Sequence, residues 1–156
     1  MITYNYMTNT AIAFRGTSQA TRVKTYDGTM STTGGGYIPN SFKGDLNYTN
    51  YPDSNWDGCY LLIGSGDSPE TPESYKLDSV ITQYSVINQT HTFSDKYGGS
   101  VLLINRVIQN TSEEAFTVKE MGLFGANYMI AREVLDKPET LQPGEKHTFT
   151  MAIGLE

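Results

Sequence analysis

The sequence predicts an all-β domain, an antiparallel β-sandwich of jelly-roll-like form with a long loop in its N-terminal half. Three observations carry that expectation. Hydrophobic residues make up 38% of the chain and charged residues 18%, both below globular averages. Thr, Ser, Asn, Gly and Tyr fill the deficit, and these are strand and turn formers. The third observation is the last segment, where Phe149, Met151, Ile153 and Leu155 alternate with Thr148, Thr150, Ala152 and Gly154. That period of two marks a strand with one buried and one open face.

The other elements follow in order. Ala11–Phe14 and Thr21–Tyr26 read as two short strands joined by a turn at Gly16-Thr17-Ser18. Residues 28–58 hold recurrent Gly, Asn, Ser, Asp and Pro without sustained periodicity, and read as one long loop. Strands resume at Cys59–Ile63, and a turn-rich segment, GSGDSPETPES, follows. Val80–Ile87 and Thr90–Phe93 come next. Ser100–Ile108 is expected to turn back at Gln109-Asn110-Thr111-Ser112 and pair as a hairpin with Ala115–Val118. Phe116 and Val118 share one parity, whereas Met121 and Leu123 share the other. A β-bulge near Glu120-Met121-Gly122 would bring both pairs to the core and re-aim Glu120 toward backbone donors. Tyr128–Leu135 is another strand, broken at Lys137-Pro138. In Leu141-Gln142-Pro143-Gly144, Pro sets the first corner of a turn and Gly permits a positive φ at the second. About eight to ten strands with no long helix suit a single domain over residues 1–156.

The net charge of −6 and a pI near 4.8 argue against a nucleic-acid partner. No apolar run approaches the roughly 18 residues of a membrane helix. The start, MITYNYMTNT, lacks the basic and apolar regions of a signal peptide. The chain is therefore expected to be made and kept in a cytoplasm. Cys59, the single cysteine, reads as a buried unreactive thiol.

No catalytic constellation is apparent. His91 and His147 lie in polar strand-like stretches without a ligand-spaced partner. Gly64-Ser65-Gly66-Asp67-Ser68 has the look of a phosphate loop but lacks the terminal Lys-Ser/Thr, and Pro69 and Pro72 deny it a following helix. Asp45, Asp53, Asp57, Asp67, Glu70, Glu73 and Asp78 could in principle meet a hard cation. A solvated acidic surface accounts for them better. No cofactor or metal site is expected. Tyr37, Phe42, Tyr48, Tyr51 and Trp56 stand out within the loop, since disordered segments are poor in aromatics. Three roles are open to them: an interface with another subunit, a plug for the sandwich edge, or a platform for a sugar.

Three stretches together resemble the structural proteins of tailed-bacteriophage particles. Tyr60–Pro69 followed by Tyr75-Lys76-Leu77 is similar to a strand, a Gly-x-Gly turn and a Tyr-x-Leu return in tail, fibre and virion proteins. Asn105–Ser112 with Val118–Phe124 resembles the hairpin that follows in those proteins. Ala131–Leu135, Pro138 and Leu141–Glu145 resemble their ending. The likeness covers residues 58–156, and nothing comparable is found for the first 57. It implies a non-enzymatic virion component in the tail, neck or collar, fibre base or capsid decoration. Such a component would assemble in the host cytoplasm with copies of itself, as a homo-oligomer, and with other virion proteins. The alternative is a carbohydrate-binding sandwich for receptor attachment, with the loop aromatics as its platform.

Overall fold

The computed structural model describes residues 21–24, 27–33, 49, 59–94, 101–125 and 128–154. These form eight strands: β1 (Thr21–Lys24), β2 (Met30–Thr33), β3 (Cys59–Gly64), β4 (Tyr84–Ser94), β5 (Val101–Asn110), β6 (Phe116–Gly125), β7 (Tyr128–Leu141) and β8 (Lys146–Gly154). Two three-stranded antiparallel sheets, in the orders β3-β6-β7 and β4-β5-β8, pack as a sandwich, and β1-β2 is a separate ribbon.

Alternation decides which side chains enter the core. In β5 every second residue from Leu102 to Asn110 is buried. Met151 and Phe149 of β8 lie beside Ile104 and Arg106 in register and are buried with them. Ile153 is partly buried against the same core, so the last strand faces inward as its period requires. Leu61, Ile63, Val118, Met121 and Leu123 meet this layer from the other sheet. Tyr60, Leu62, Leu77, Phe124 and Met129 form a second apolar cluster. The alternation of β3 places it on the opposite face of that sheet, and Tyr60 stacks on Phe124 at 5.8 Å.

The parity change in β6 occurs as expected, a little earlier in the chain. Val118 pairs with Glu139 but Glu120 pairs with Val134, so β7 carries the extra residues, around Lys137-Pro138. Proline has no N–H for the ladder, so the register shifts there, but β7 continues through Pro138 to Leu141 instead of ending at Leu135 as expected. Val118, Met121 and Leu123 consequently share one core. The turn before β8 also follows its residues: Glu145 N–H donates to Gln142 O at 3.0 Å, and Gly144 has φ 78°.

Three further expectations need correction. The polar cluster after β5 does not close a hairpin with β6. β5 pairs with β4 and β8, whereas β6 pairs with β3 and β7, so the chain crosses there from one sheet to the other. Asn110 makes the corner. Its Nδ2 donates to Glu114 O and Leu141 O, and its Oδ1 accepts from Ser112. The residues 80–87 and 90–93 form one strand from Tyr84, continuous through a bulge at Ile87, with only an isolated bridge at Val80. Residues 30–33 belong to a strand rather than a loop, pairing with 21–24. Asp27 Oδ1 accepts from Thr29 N and Oγ1, and Gly28 takes φ 85°, which turns the chain between them. The expected strand at 11–14 and the rest of the loop, residues 34–48 and 50–58, lie outside the described residues.

Candidate functional site

The most organised polar region lies over the outer face of β3-β6-β7. After β3 the chain leaves the sheet and returns at Val80, which bridges Gly64. Ser65 N–H donates to Ser79 O and Ile81 N–H to Ile63 O, so residues 65–79 form an Ω-loop with closed ends. A side chain on Gly64 would meet Ser79 O and the Glu120 carboxylate at 2.6 Å. Only glycine lets the loop neck close so tightly on the sheet.

Glu120, wholly buried on β6, holds this neck. Its Oε1 accepts from Gly66 N and Ser79 N, each at 3.1 Å. Its Oε2 accepts from Arg132 of β7, with Nε at 2.9 Å and Nη2 at 2.8 Å. Arg132, 3% exposed, also donates from Nη2 to Asp78 Oδ2 at 2.9 Å and from Nη1 to Pro69 O at 3.3 Å. Arg132 stands opposite Gly122, two register positions from Glu120 and so on the same face, and the ladder itself sets the pair in place. Asp78 accepts from Ser68 N, Glu70 accepts from Val134 N, and Lys119 pairs with Asp67 at 2.9 Å. A buried ion pair keeps its charge only when its remaining lone pairs and protons are satisfied. Here the loop backbone satisfies them. Tyr75 adds an outer contact: Lys24 of the ribbon stands 3.8 Å above its ring.

Burial pushes the Asp78 carboxyl up, but the Ser68 hydrogen bonds and the Arg132 guanidinium outweigh it and hold Asp78 below its ordinary value of 3.8. A depressed acid stabilises the fold above its unfolded pKa, and that contribution is lost as pH falls through the folded value. The stability gap between wild type and Asp78→Asn is therefore expected to be constant above about pH 4 and to close below it. Denaturation midpoints across acidic pH measure this. A gap unchanged at the lowest pH would mean that Asp78 does not act through its charge.

A second polar group joins the sheets inside the sandwich. Arg106 of β5, fully buried, donates from Nη1 to Gln89 Oε1 of β4 at 2.7 Å, and Leu61 N of β3 donates to that same oxygen. Gln89 thus caps an edge donor of one sheet from the edge of the other. The guanidinium neighbours Tyr84, whose hydroxyl burial pushes up to about 12 against the pull of Arg106.

The sequence candidates divide accordingly. The phosphate-like run is a structural loop: the amides of Ser65, Gly66 and Ser68 already donate to Ser79, Glu120 and Asp78. Asp67, Glu70 and Asp78 are ordered by specific partners, so the acidic stretch is more than a solvated surface here. Asp45, Asp53 and Asp57 lie outside the described residues, as do Tyr37, Phe42, Tyr48, Tyr51 and Trp56. His91 is half-buried beside Gln89, and burial lowers its pKa. His147 packs tilted on Phe149 at 4.8 Å. Among the described residues no group of three or more His, Cys, Asp or Glu side chains is placed to hold a metal ion, and no helix is long and apolar enough to cross a membrane. Glu120 was legible in the sequence through its parity break; Arg132, Arg106 and Gln89 were not, since nothing local separates an inward polar residue from an outward one. No protein-family model matches this chain, nor does any curated protein or solved structure.

Proposed function

We propose that this chain is a non-enzymatic structural subunit of a bacteriophage particle, assembling through protein–protein contacts in a tail, neck, fibre base or capsid decoration. The observation that carries the reading is the Ω-loop of residues 65–79. Glu120 and Arg132 of the sheet hold its backbone at Gly66, Ser79 and Pro69, while its own Glu70 and Asp78 reach back to Val134 N and Arg132. Their hydrogen-bonding capacity is directed at holding a surface in place. A surface ordered in advance loses little entropy on docking, which suits repeated weak contacts.

The stretches that resemble virion proteins coincide with this frame. Tyr60–Pro69 spans β3 and the loop neck, Leu77 packs from the loop onto the sheet, and Ala131–Leu135 carries Arg132. The contact residues in this proposal remain Tyr37, Phe42, Tyr48, Tyr51 and Trp56, assigned from their sequence alone. Mass spectrometry of gradient-purified particles from cells expressing the gene tests it. The chain is expected in fixed stoichiometry with the other virion proteins. Abundance in the lysate with absence from the particles would overturn the reading.

A further inference from the structure

We infer that the outer face of the β4-β5-β8 sheet is a self-association surface whose occupant is the same face of a second copy. The inference rests on the reading of the chain as an assembling subunit and names the surface through which copies meet.

Register defines the face. Because Leu102, Ile104 and Arg106 point inward, their neighbours in β5 point outward. Thr92, Leu103 and Ala152 form one cross-strand row, and Thr90, Asn105 and Thr150 form the next. The β4 and β8 members are exposed and the β5 members partly so. Neither row carries a charge. Val107 continues the face between Asn88 and Thr148, again without charge, and Lys146 appears only at the far end beside Gln109.

Three observations select a second copy as the occupant. The first is charge. The chain carries −6 overall, and Asp67, Glu70, Glu73 and Asp78 all belong to the opposite side, on the Ω-loop. Lys119 and Arg132 offset Asp67 and Asp78 there, but Glu70 and Glu73 add negative charge, so two copies approaching through that side would bring like charges together. The uncharged face lets them meet without it. The second is chemistry. Thr hydroxyls and Asn amides can each donate and accept; Thr150 Oγ1 donates to Asn105 Oδ1 at 2.7 Å, which leaves the hydroxyl lone pairs and the Asn105 amide N–H groups to face outward. Such a surface is complementary to itself, which a two-fold contact requires. The third is Ile87. It is the extra residue of the β4 bulge, it stands at the rim of the face, and it is 50% exposed. Among the described residues only Met30 is a more exposed large apolar side chain.

Four rows at strand spacing cover about 27 by 14 Å, or roughly 400 Å² in projection per copy. Side-chain relief raises the accessible area above its projection. A pair still falls toward the lower end of stable interfaces, about 1,200 Å² in total. The contact is therefore a weak one, useful when many copies are arrayed.

Sedimentation velocity of the full chain over a concentration series tests the inference. Wild type is expected to associate reversibly. Ala152→Glu combined with Ile87→Glu is expected to raise the dissociation constant tenfold or more. Ala152→Lys alone should also weaken association, and mixing it with Ala152→Glu should restore it, which a folding defect in either variant would not do. A monomeric wild type at all concentrations, or association unaffected by these charges, overturns the inference. Particle incorporation is scored separately. A chain absent from particles whose face still pairs would remove the virion reading and leave this surface. A chain present in particles with the pairing unaffected by Ala152→Glu would do the reverse.

Discussion

Replacing Glu120 with alanine is expected to destabilise the protein by about 3–5 kcal/mol, the usual consequence of removing one partner from a buried ion pair. Glu120 is fully buried and Arg132 is 3% exposed, so water does not take the place of the lost carboxylate. Gly66 N and Ser79 N lose their acceptor in the same step. Equilibrium urea denaturation measures the loss as a fall in midpoint. Hydrogen exchange should also accelerate at those two amides, because the loop neck opens. The double variant Glu120→Leu/Arg132→Met should recover part of the loss, since no buried charge is left unpaired in it; Asp78, which loses Arg132, is partly exposed and keeps Ser68 N. A cost below about 1 kcal/mol for Glu120→Ala would place the clamp among surface ion pairs and remove its role in fixing the loop.

The second large effect is expected at Asn110. This residue, 1% exposed, ties two of the three crossings between the sheets, β5 to β6 and β7 to β8, at one corner. Its side chain holds Glu114 O at 2.9 Å and Leu141 O at 3.0 Å while accepting from Ser112 N and Oγ. Its backbone accepts from Gly144 N and donates to Glu145 O. Asn110→Ala leaves the buried carbonyl of Leu141 without this donor, and a loss of roughly 2–4 kcal/mol is expected from the several bonds removed. Asn110→Asp separates hydrogen bonding from packing. It keeps the acceptor for Ser112 but sets a carboxylate against two carbonyl oxygens. Its folded pKa should rise, so the protonated form is favoured in the fold and stability should increase as pH falls. Thermal or urea unfolding at neutral and acidic pH distinguishes the cases. An Asp variant as stable as wild type at neutral pH would show that the corner does not depend on those donors.

Glu120 and Asn110 also show how far the chain could be read without coordinates. Glu120 was accessible because parity is local. Val118 and Met121 cannot both face the core in a regular strand, so a bulge had to intervene and the acid between them had to turn. Asn110 sat in a polar cluster that any turn would contain. Such a cluster marks where a strand stops, but it does not say whether the chain returns within the sheet or crosses to the other layer. Its side-chain partners decide that, and Leu141 is one of them, 31 positions away.

The fold class, the inward face of β8, the turn at Pro143-Gly144 and the parity change in β6 were all readable from the sequence. Each depends on the period of the strand or on the φ preferences of one or two residues, which act at short range. The tertiary structure alone decided the strand order and the fate of the buried polar residues. Arg132 reaches Asp78 across 54 positions, Arg106 reaches Gln89 across 17, and Gln89 reaches Leu61 across 28. Alternation alone did not say which face each would take, because a charged or amide side chain is stable inside only when a partner is brought to it. That partner comes with the packing of one sheet against the other and of the Ω-loop against both Glu120 and Arg132.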